Sequence, residues 1–396
     1  MNVLAVLHYP MFGGPENRTL QLSGPFAERG VDLAVVLPDE PGNAAERFLT
    51  AGVPTEFIRL SRLRASLNPV QQTQFLLRLP GDVHRLRQII RKRRIDVVVL
   101  AGLANPHAAI AAHQESRAVL WQIVDTRVPG PGRKVLMPLV ERLSDTVMFW
   151  GEAVERLHTG GRTLAMPTFL GNSPVNLSRF VPSPERRART RAKLGIPAEA
   201  RVMGSVSNLN PQKGIEYFIR AAHRVAAEMD DVWFLIVGAS YDTHRAYERR
   251  LTSEIREAGL SARFKFAGSA TNVEDHYPAM DVKLITSVPA SEGIPTTALE
   301  AMACAVPVVT TDVGSAREAV VDGATGYVVP ALDDRAIAAA TLRVLGDREL
   351  ASRLGSQGRR RAEERYGIEP AMQLHLRAFE TALAFRESRG SRGGSR

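Results

Sequence analysis

One cysteine stands in 396 residues. Cys304 therefore has no partner for a disulfide within the chain, which fits a reducing compartment. Lysine is also scarce: six of the 51 basic residues are lysines, so arginine carries the net charge of +9. A compositional bias of the source explains that arginine excess as readily as an anionic partner does. Aromatics make up only 6% of the chain, and no helix-turn-helix, zinc or aromatic-stacking pattern accompanies the positive charge, so no nucleic acid is expected as a partner. There is no Asp-x-Asp at a strand end and no Cys/His cluster with ligand spacing, so neither a metal nor another cofactor is expected. The opening MNVLAVLHYP has no basic leader and no small-residue cleavage site, which argues against a signal peptide. The longest apolar stretch, Val97 to Ala112, is broken by Asn105, Pro106 and His107 and falls short of a membrane span. A cytoplasmic protein is expected.

The chain is too long for one ordinary hydrophobic core, and two domains of roughly 150 to 200 residues are the natural division. Apolar runs of strand length recur through the first half: VLAVLHY, VDLAVVLP, Ile95 to Leu100, Val119 to Val124 and Thr146 to Phe149, with helical patterns between them. The pattern restarts after the Pro-, Arg- and Ala-rich PSPERRARTRAKLGIPAEA. Strands are then expected at Val202 to Val206, Val232 to Val237, Phe264 to Phe266, Val282 to Ile285, Val306 to Thr310 and Tyr327 to Val329, with helices starting near Gly214, Asp242, Val273, Pro295 and Ser315. The alternation predicts an α/β protein of two doubly wound, Rossmann-like domains, residues 1–180 and 181–368. A C-terminal helix over 369–388 should pack back toward the first domain, and the Gly-, Ser- and Arg-rich end at 389–396 should be disordered. In such sheets ligands bind beyond the carboxyl ends of the strands, and a cleft between two domains is the default site.

The segment EGIPTTALEAMACAVPVV, residues 292–309, concentrates the chemistry. Pro295 suits the first position of a helix, and Ile294 before it is pushed out of helical geometry, so the cap position has no side-chain acceptor. The N–H groups of Thr296, Thr297 and Ala298 are then open to a phosphate, with Gly293 allowing close backbone approach. Glu292 and Glu300 would flank whatever the helix end holds. The residues alone allow as readily a Glu292 that caps its own helix and a Glu300 that is merely solvated.

Taken whole, SEGIPTTALEAMACAVPVVTTDVGSAREAVVDGATGYVVP closely resembles the signature of the retaining GT-B-fold glycosyltransferases of family 4, also called glycosyl transferases group 1. The elements that match are Ser291-Glu292-Gly293, Pro295, Leu299-Glu300-Ala301, Pro307-Val308-Val309, Gly314, Glu318, Asp322-Gly323 and Gly326. GGPENRTLQLSGPFAERGVDLAVV is similar to the family's opening Gly-Gly loop, GNSPVNLSRFVPS to its linker, and LNPQKGIEYFIRAA to its Lys-Gly phosphate loop. The resemblance implies a nucleoside diphosphate sugar donor held mostly by the second domain, and a glycan or lipid-linked acceptor. Glu300 would accept from the ribose hydroxyls. Glu292 would hold donor-sugar hydroxyls near the developing positive charge at the anomeric carbon, and Lys213 would neutralise the departing diphosphate. The N–H groups of Gly293, Ile294, Thr296 and Thr297 would face the sugar or the diphosphate, residues after Gly268 the base, and Gly13 and Gly14 the phosphates. The implied transfer is metal-independent, retains configuration and uses a phosphate oxygen rather than a protein base.

Several positions depart from the family, among them Ser207 and Ala305, where glycine is common. Asn208 stands where a basic residue is usual, with Arg18 a candidate substitute. Val124 stands where a histidine is frequent, which leaves Asp125 or His107 as candidates for donor-sugar or acceptor contacts. These departures keep open a non-catalytic adaptor on the same fold, and a nucleotide-sugar epimerase shares the two-domain plan. Between residues 59 and 94, basic and apolar residues interleave with Asp82 as the only acid, and this stretch is a candidate for docking on an anionic membrane surface.

Overall fold

The computed structural model of the chain describes residues 1–62, 69–103, 106–124, 128, 130–240, 244–270 and 272–393. It divides into two compact units, Met1–Pro174 with Ile368–Arg396, and Val175–Gly367.

The first unit runs β1 (Asn2–Val6), α1 (Gly14–Glu28), β2 (Asp32–Pro38), α2 (Ala44–Thr50), β3 (Thr55–Ile58), α3 (Pro69–Lys92), β4 (Val97–Ala101), α4 (His107–Gln114), β5 (Ala118–Ile123), α5 (Gly130–Leu143), β6 (Thr146–Phe149), α6 (Glu152–Thr159) and β7 (Thr168–Leu170). Its sheet has the order β3-β2-β1-β4-β5-β6-β7, and every neighbouring pair is parallel. Central strands covered on both faces must be apolar throughout, which is why β1, β2 and β4 read as unbroken Val, Leu and Ala runs. Alternation then sorts them into two cores: Leu4, Val6, Val36 and Val98 face one side, Val3, Ala5, Val35 and Val97 the other. β3 and β7 do not stand out in the sequence. They are short edge strands, TEFI and TFL, and lie half open to solvent.

The second unit runs α7 (Pro184–Leu194), β8 (Arg201–Val206), α8 (Ile215–Glu228), β9 (Val232–Val237), α9 (Arg245–Glu257), β10 (Phe264–Gly268), β11 (Val282–Ile285), α10 (Thr296–Ala303), β12 (Val308–Thr311), α11 (Ala316–Ala319), β13 (Gly326–Val329), α12 (Asp334–Gly346) and α13 (Arg348–Arg365). Its sheet order, β10-β9-β8-β11-β12-β13, repeats that of the first. No α-helix begins near Val273. Two 3-10 turns, Val273–Asp275 and Tyr277–Ala279, stand there instead, because Pro278 supplies no N–H and would clash with the carbonyl four residues earlier in a continuous helix.

The chain then returns to the first unit as α14 (Ile368–Gly393), which packs against α1 and β5 with Met372 and Phe379 in the core. The helix continues past residue 388, where composition predicts order to end, and residues 394–396 lie outside the described residues.

Asp281, just before β11, ties the second unit together. Its carboxylate accepts from Arg187 and Arg191, each at 2.7 Å, and from the Val202 N–H at 2.7 Å. The Arg191 side chain is 2% exposed and spends its other donors on the carbonyls of Ala279, Ala198 and Ala200. Removing one partner of such a pair leaves a buried charge uncompensated. Asp281→Ala should therefore cost about 3 kcal/mol and lower the melting point by roughly 6–12 °C. Calorimetry on the variant checks this, and an unchanged transition would refute the anchoring role.

Candidate functional site

In each sheet the chain reverses direction at one place, between β1 and β4 in the first unit and between β8 and β11 in the second. The crevice at the carboxyl ends of those strands is where open α/β sheets bind ligands.

In the second unit two loops meet at that point. After β8 the chain makes a 3-10 turn, Pro211–Lys213, capped by the Asn210 carboxamide, which accepts from the Gln212 N–H at 3.0 Å. Gly214 follows at φ 56°, and a Cβ there would come within 2.2 Å of the Thr286 carbonyl oxygen, so only glycine fits. After β11, Thr286 donates to the Lys213 carbonyl at 3.0 Å and the Val288 N–H donates to the Gln212 carbonyl at 3.1 Å. The loops are thereby stitched, and Lys213 Nζ lies 2.5 Å from Glu292 Oε1. Ser287 Oγ donates to the same carboxylate oxygen at 2.6 Å. Gly314, at φ 55°, supports Glu292 from below: a Cβ there would sit 2.2 Å from the Glu292 carbonyl oxygen.

Glu292 does not cap its own helix; its carboxylate turns to Lys213 and Ser287. Pro295 is not the first helical residue either. It is the cap, with φ −72° and an extended ψ of 103°, and it contributes no side-chain hydrogen bond. α10 begins one residue later, and the Ala298 N–H donates to the Pro295 carbonyl at 2.9 Å. Thr296 and Thr297 are half-buried on the first turn, and Ile294 is buried.

Glu300 is not a solvated surface carboxylate. It is 8% exposed and accepts from the Tyr277 hydroxyl. Burial pushes its pKa up to about 7, while the Tyr277 hydrogen bond, Lys283 and Arg179 oppose the shift. Nearby, Arg179 pairs with Glu274 at 2.7 Å.

Sequence reasoning passed over Ser287, Tyr277 and Lys283. Lys283 left a signal, since it is a lysine inside the apolar run VKLI in a chain with six lysines. It is 1% exposed, and its Nζ donates to the Leu284 carbonyl at 2.6 Å. Asn208 and Gly268 lie at the same end of the sheet, after β8 and at the end of β10. Asn208 is exposed, and the Gly268 carbonyl accepts from the Gly238 N–H at 2.8 Å.

The remaining candidates belong to the first unit. Gly13 caps α1 and Gly14 opens it; the Gly13 N–H donates to the Glu16 carboxylate at 3.0 Å. Burial pushes the Glu16 pKa up to about 7, against its backbone hydrogen bonds and Arg18. Arg18 is buried, donates to Gln122 Oε1 at 2.8 Å and lies 3.8 Å from the centroid of the Trp150 ring. Burial draws its pKa down to about 9, with Glu16 opposing. His107 opens α4 and meets the ring of His8 edge-on, centroids 5.2 Å apart. Neither ring has a hydrogen-bond partner for its nitrogens among the described residues. Burial lowers both pKa values, that of His107 to about 4. Asp125 lies outside the described residues.

Residues 186–361 match the family described as Glycosyl transferases group 1. The second unit belongs to that family. Its group 1 domain carries Lys213, Glu292 and Glu300 within the matched stretch. The lipopolysaccharide core biosynthesis mannosyltransferase LpsB of Rhizobium meliloti (strain 1021) is 30% identical over 230 residues, 57% of this chain and 65% of its own length. The chain thus spans just under two thirds of that relative. A GDP-mannose-dependent monoacylated alpha-(1-6)-phosphatidylinositol monomannoside mannosyltransferase of Corynebacterium glutamicum is 28% identical over 315 residues, 74% of this chain and 78% of its own length. Among solved structures, Anabaena HepE in complex with UDP superposes with a TM-score of 0.81 over 96% of this chain and 100% of its own, at 22% identity. That likeness shows the fold: two parallel-sheet Rossmann-like domains of the GT-B type.

Within the group 1 domain, Glu300 makes a pH-dependent demand. Its folded pKa is above its unfolded value, so the native state binds the extra proton, and stability falls as pH rises from about 4.5 to about 7. Above pH 7 the ionised carboxylate costs about 3 kcal/mol. Glu300→Gln should be more stable than the parent at pH 8, and the gain should fade by pH 4.5. Urea unfolding at the two pH values checks it; an equal difference at both would contradict the assignment.

Proposed function

We propose that the chain transfers a glycosyl group from a nucleoside diphosphate sugar to a glycan or lipid-linked acceptor, with retention at the anomeric carbon and without a metal. The observation that carries this reading is the Lys213–Glu292 pair held between the β8 and β11 loops. A cation and an anion poised together at a ligand crevice suit a substrate that separates charge as it reacts. Lys213 moves onto the diphosphate as negative charge builds on the leaving oxygen. Glu292, released from Lys213 and still held by Ser287, faces the sugar hydroxyls and the positive charge developing at C1. The bond from C1 to the phosphate oxygen breaks, the bond from the acceptor oxygen to C1 forms on the same face, and the acceptor proton passes to the departing diphosphate. No protein base is required.

Glu300 takes the ribose hydroxyls, which fits a carboxylate fixed by Tyr277. The N–H groups of Gly293, Ile294, Thr296 and Thr297 serve the sugar and diphosphate at a helix start whose cap offers no side chain. Asn208 and the segment after Gly268 lie toward the nucleoside. In the first unit, Asp125 or His107 takes the donor-sugar or acceptor contacts that the family resemblance implies, and Gly13 and Gly14 the phosphate role. Arg18, committed to Gln122 and Trp150, acts there as a support and not as a phosphate ligand. The named activities of the Rhizobium and Corynebacterium relatives, and the UDP bound by HepE, favour a nucleotide sugar in envelope polysaccharide or glycolipid synthesis.

The membrane reading narrows. Among the described residues no helix is long and apolar enough to cross a membrane. Much of the charge between residues 59 and 94 is neutralised from elsewhere in the chain: Arg62 pairs with Glu40, Arg87 and Arg91 with Glu115, and Arg93 with Glu56. Residues 63–68 of that stretch lie outside the described residues. What α3 presents outward is Leu76 and Leu77, 63% and 76% exposed, beside exposed Arg78. We take that patch as the surface for an acidic cytoplasmic membrane face.

Glu292→Ala and Lys213→Ala should each lower turnover by a factor of about a hundred or more, as loss of one transition-state contact does. The donor is found by screening UDP-, GDP- and ADP-sugars for a rise in melting temperature. No rise with any of them, or full turnover in either variant, overturns the reading. Leu77→Glu should reduce co-sedimentation with acidic vesicles, and equal recovery with neutral and acidic lipid removes the membrane role.

A further inference from the structure

Lys283 is the one ionisable side chain of β11, and the reaction above gives it no task. Strand alternation fixes its direction: Val282 and Leu284 belong to the core under α8 and α12, while Ile285, on the Lys283 face, belongs to the core under α10. The side chain then curls to the carboxyl end of its strand, where Nζ reaches the Leu284 carbonyl at 2.6 Å. An ammonium has three donors. This is its one hydrogen bond among the described residues, and it forms no ion pair there. The charges that reach it come from three elements: Lys213 in the turn after β8, Glu292 in the loop after β11, and Glu300 on α10. Glu300 in turn is bonded by Tyr277 and influenced by Arg179 and Glu274. A buried, under-bonded amine thus lies on the α10 side of β11, within electrostatic reach of Lys213, Glu292 and Glu300.

We infer that Lys283 is the proton-exchanging cation of the donor site, taking a proton from solvent when a sugar diphosphate binds and returning it when the nucleotide leaves. This rests on the donor reading above. Burial, reinforced by Lys213 and opposed by Glu300 and Glu292, draws the Lys283 pKa down to about 7, so the empty site holds a mixture of amine and ammonium at neutral pH. A diphosphate brings two negative charges that do not titrate in this range, and nearby anions favour the charged form of a lysine. Linkage then fixes the sign. Donor affinity is highest below pH 7, where Lys283 is already charged, and falls as pH rises above 7, by at most about tenfold per unit.

The test uses the full chain with UDP-glucose and GDP-mannose as probes. Lysine labelled with 13C and 15N gives six side-chain signals, and Lys283→Met identifies the one that belongs to Lys283, with Lys283→Arg doing so should the methionine variant not fold. The Lys283 signal should titrate near pH 7 in the free protein and at least one unit higher with the bound donor. Calorimetry at pH 7.5 in two buffers of different ionisation heat should show uptake of up to about three-quarters of a proton per donor at Lys283, and the total should fall by that share in either variant. A signal that titrates near the ordinary lysine value in both states, or a midpoint that the donor does not move, overturns the inference. Donor binding with equal proton uptake in parent and variant does the same while leaving the proposed function intact. Absence of binding by both sugars removes the proposed function and this inference together.

Discussion

The crevice of the second unit is organised by one opposition of charge, the contact between Lys213 and Glu292. It joins a loop leaving β8 to a loop leaving β11, the two strands at which the sheet reverses. Beside it, the Thr286 hydroxyl on the Lys213 carbonyl and the Val288 N–H on the Gln212 carbonyl join the same two loops. Much of the nearby sequence serves that contact. Gly214 keeps its flank against Thr286 clear, Gly314 makes room beneath the Glu292 backbone, and Ser287 donates to the same carboxylate oxygen as the ammonium. The ion pair is partly open to solvent, with the lysine side chain 30% exposed and the glutamate 12%. Its contribution to stability is correspondingly small. Its value is geometric, since it places two opposite charges at the mouth of the crevice.

The first unit repeats the topology but not the chemistry. At its own reversal, between β1 and β4, the chain places His8 and His107, both buried and neutral with no described partner for their ring nitrogens. Around them the polar groups are turned inward: Glu16 onto the Gly13 N–H, Arg18 onto Gln122 and Trp150. The same architecture thus presents charge in one unit and an uncharged, enclosed pair of rings in the other.

The sheets were legible because a central parallel strand has no polar face. β1, β2, β4 to β6 and the six strands of the second unit appear as apolar runs, with ends off by up to three residues. The edge strands β3 and β7 escaped because half their surface meets water and their composition shows it. A helix at Val273 was expected from periodicity, but Pro278 overrides it. At the site, the residue types and spacing around 292–300 singled out a segment that lies just after β11, and they left open which partners Glu292 and Glu300 take. That depends on partners far away in sequence: Lys213 for one, Tyr277 for the other. Lys283 was readable in principle, as a charge in a run that should have none. Arg18 illustrates the opposite limit, because nothing local to GGPENR indicates that Gln122 and Trp150 will enclose its guanidinium.

Val175 and Gly367 form a β-bridge, and the Val175 N–H donates to the Tyr366 carbonyl at 2.7 Å. The stretch between them begins and ends at one spot, like a loop of thread drawn through a single eyelet. The second unit is thus an insert in the chain, with its two ends clasped together by that bridge. A stretch whose two ends lie together is one that insertion into another chain tolerates.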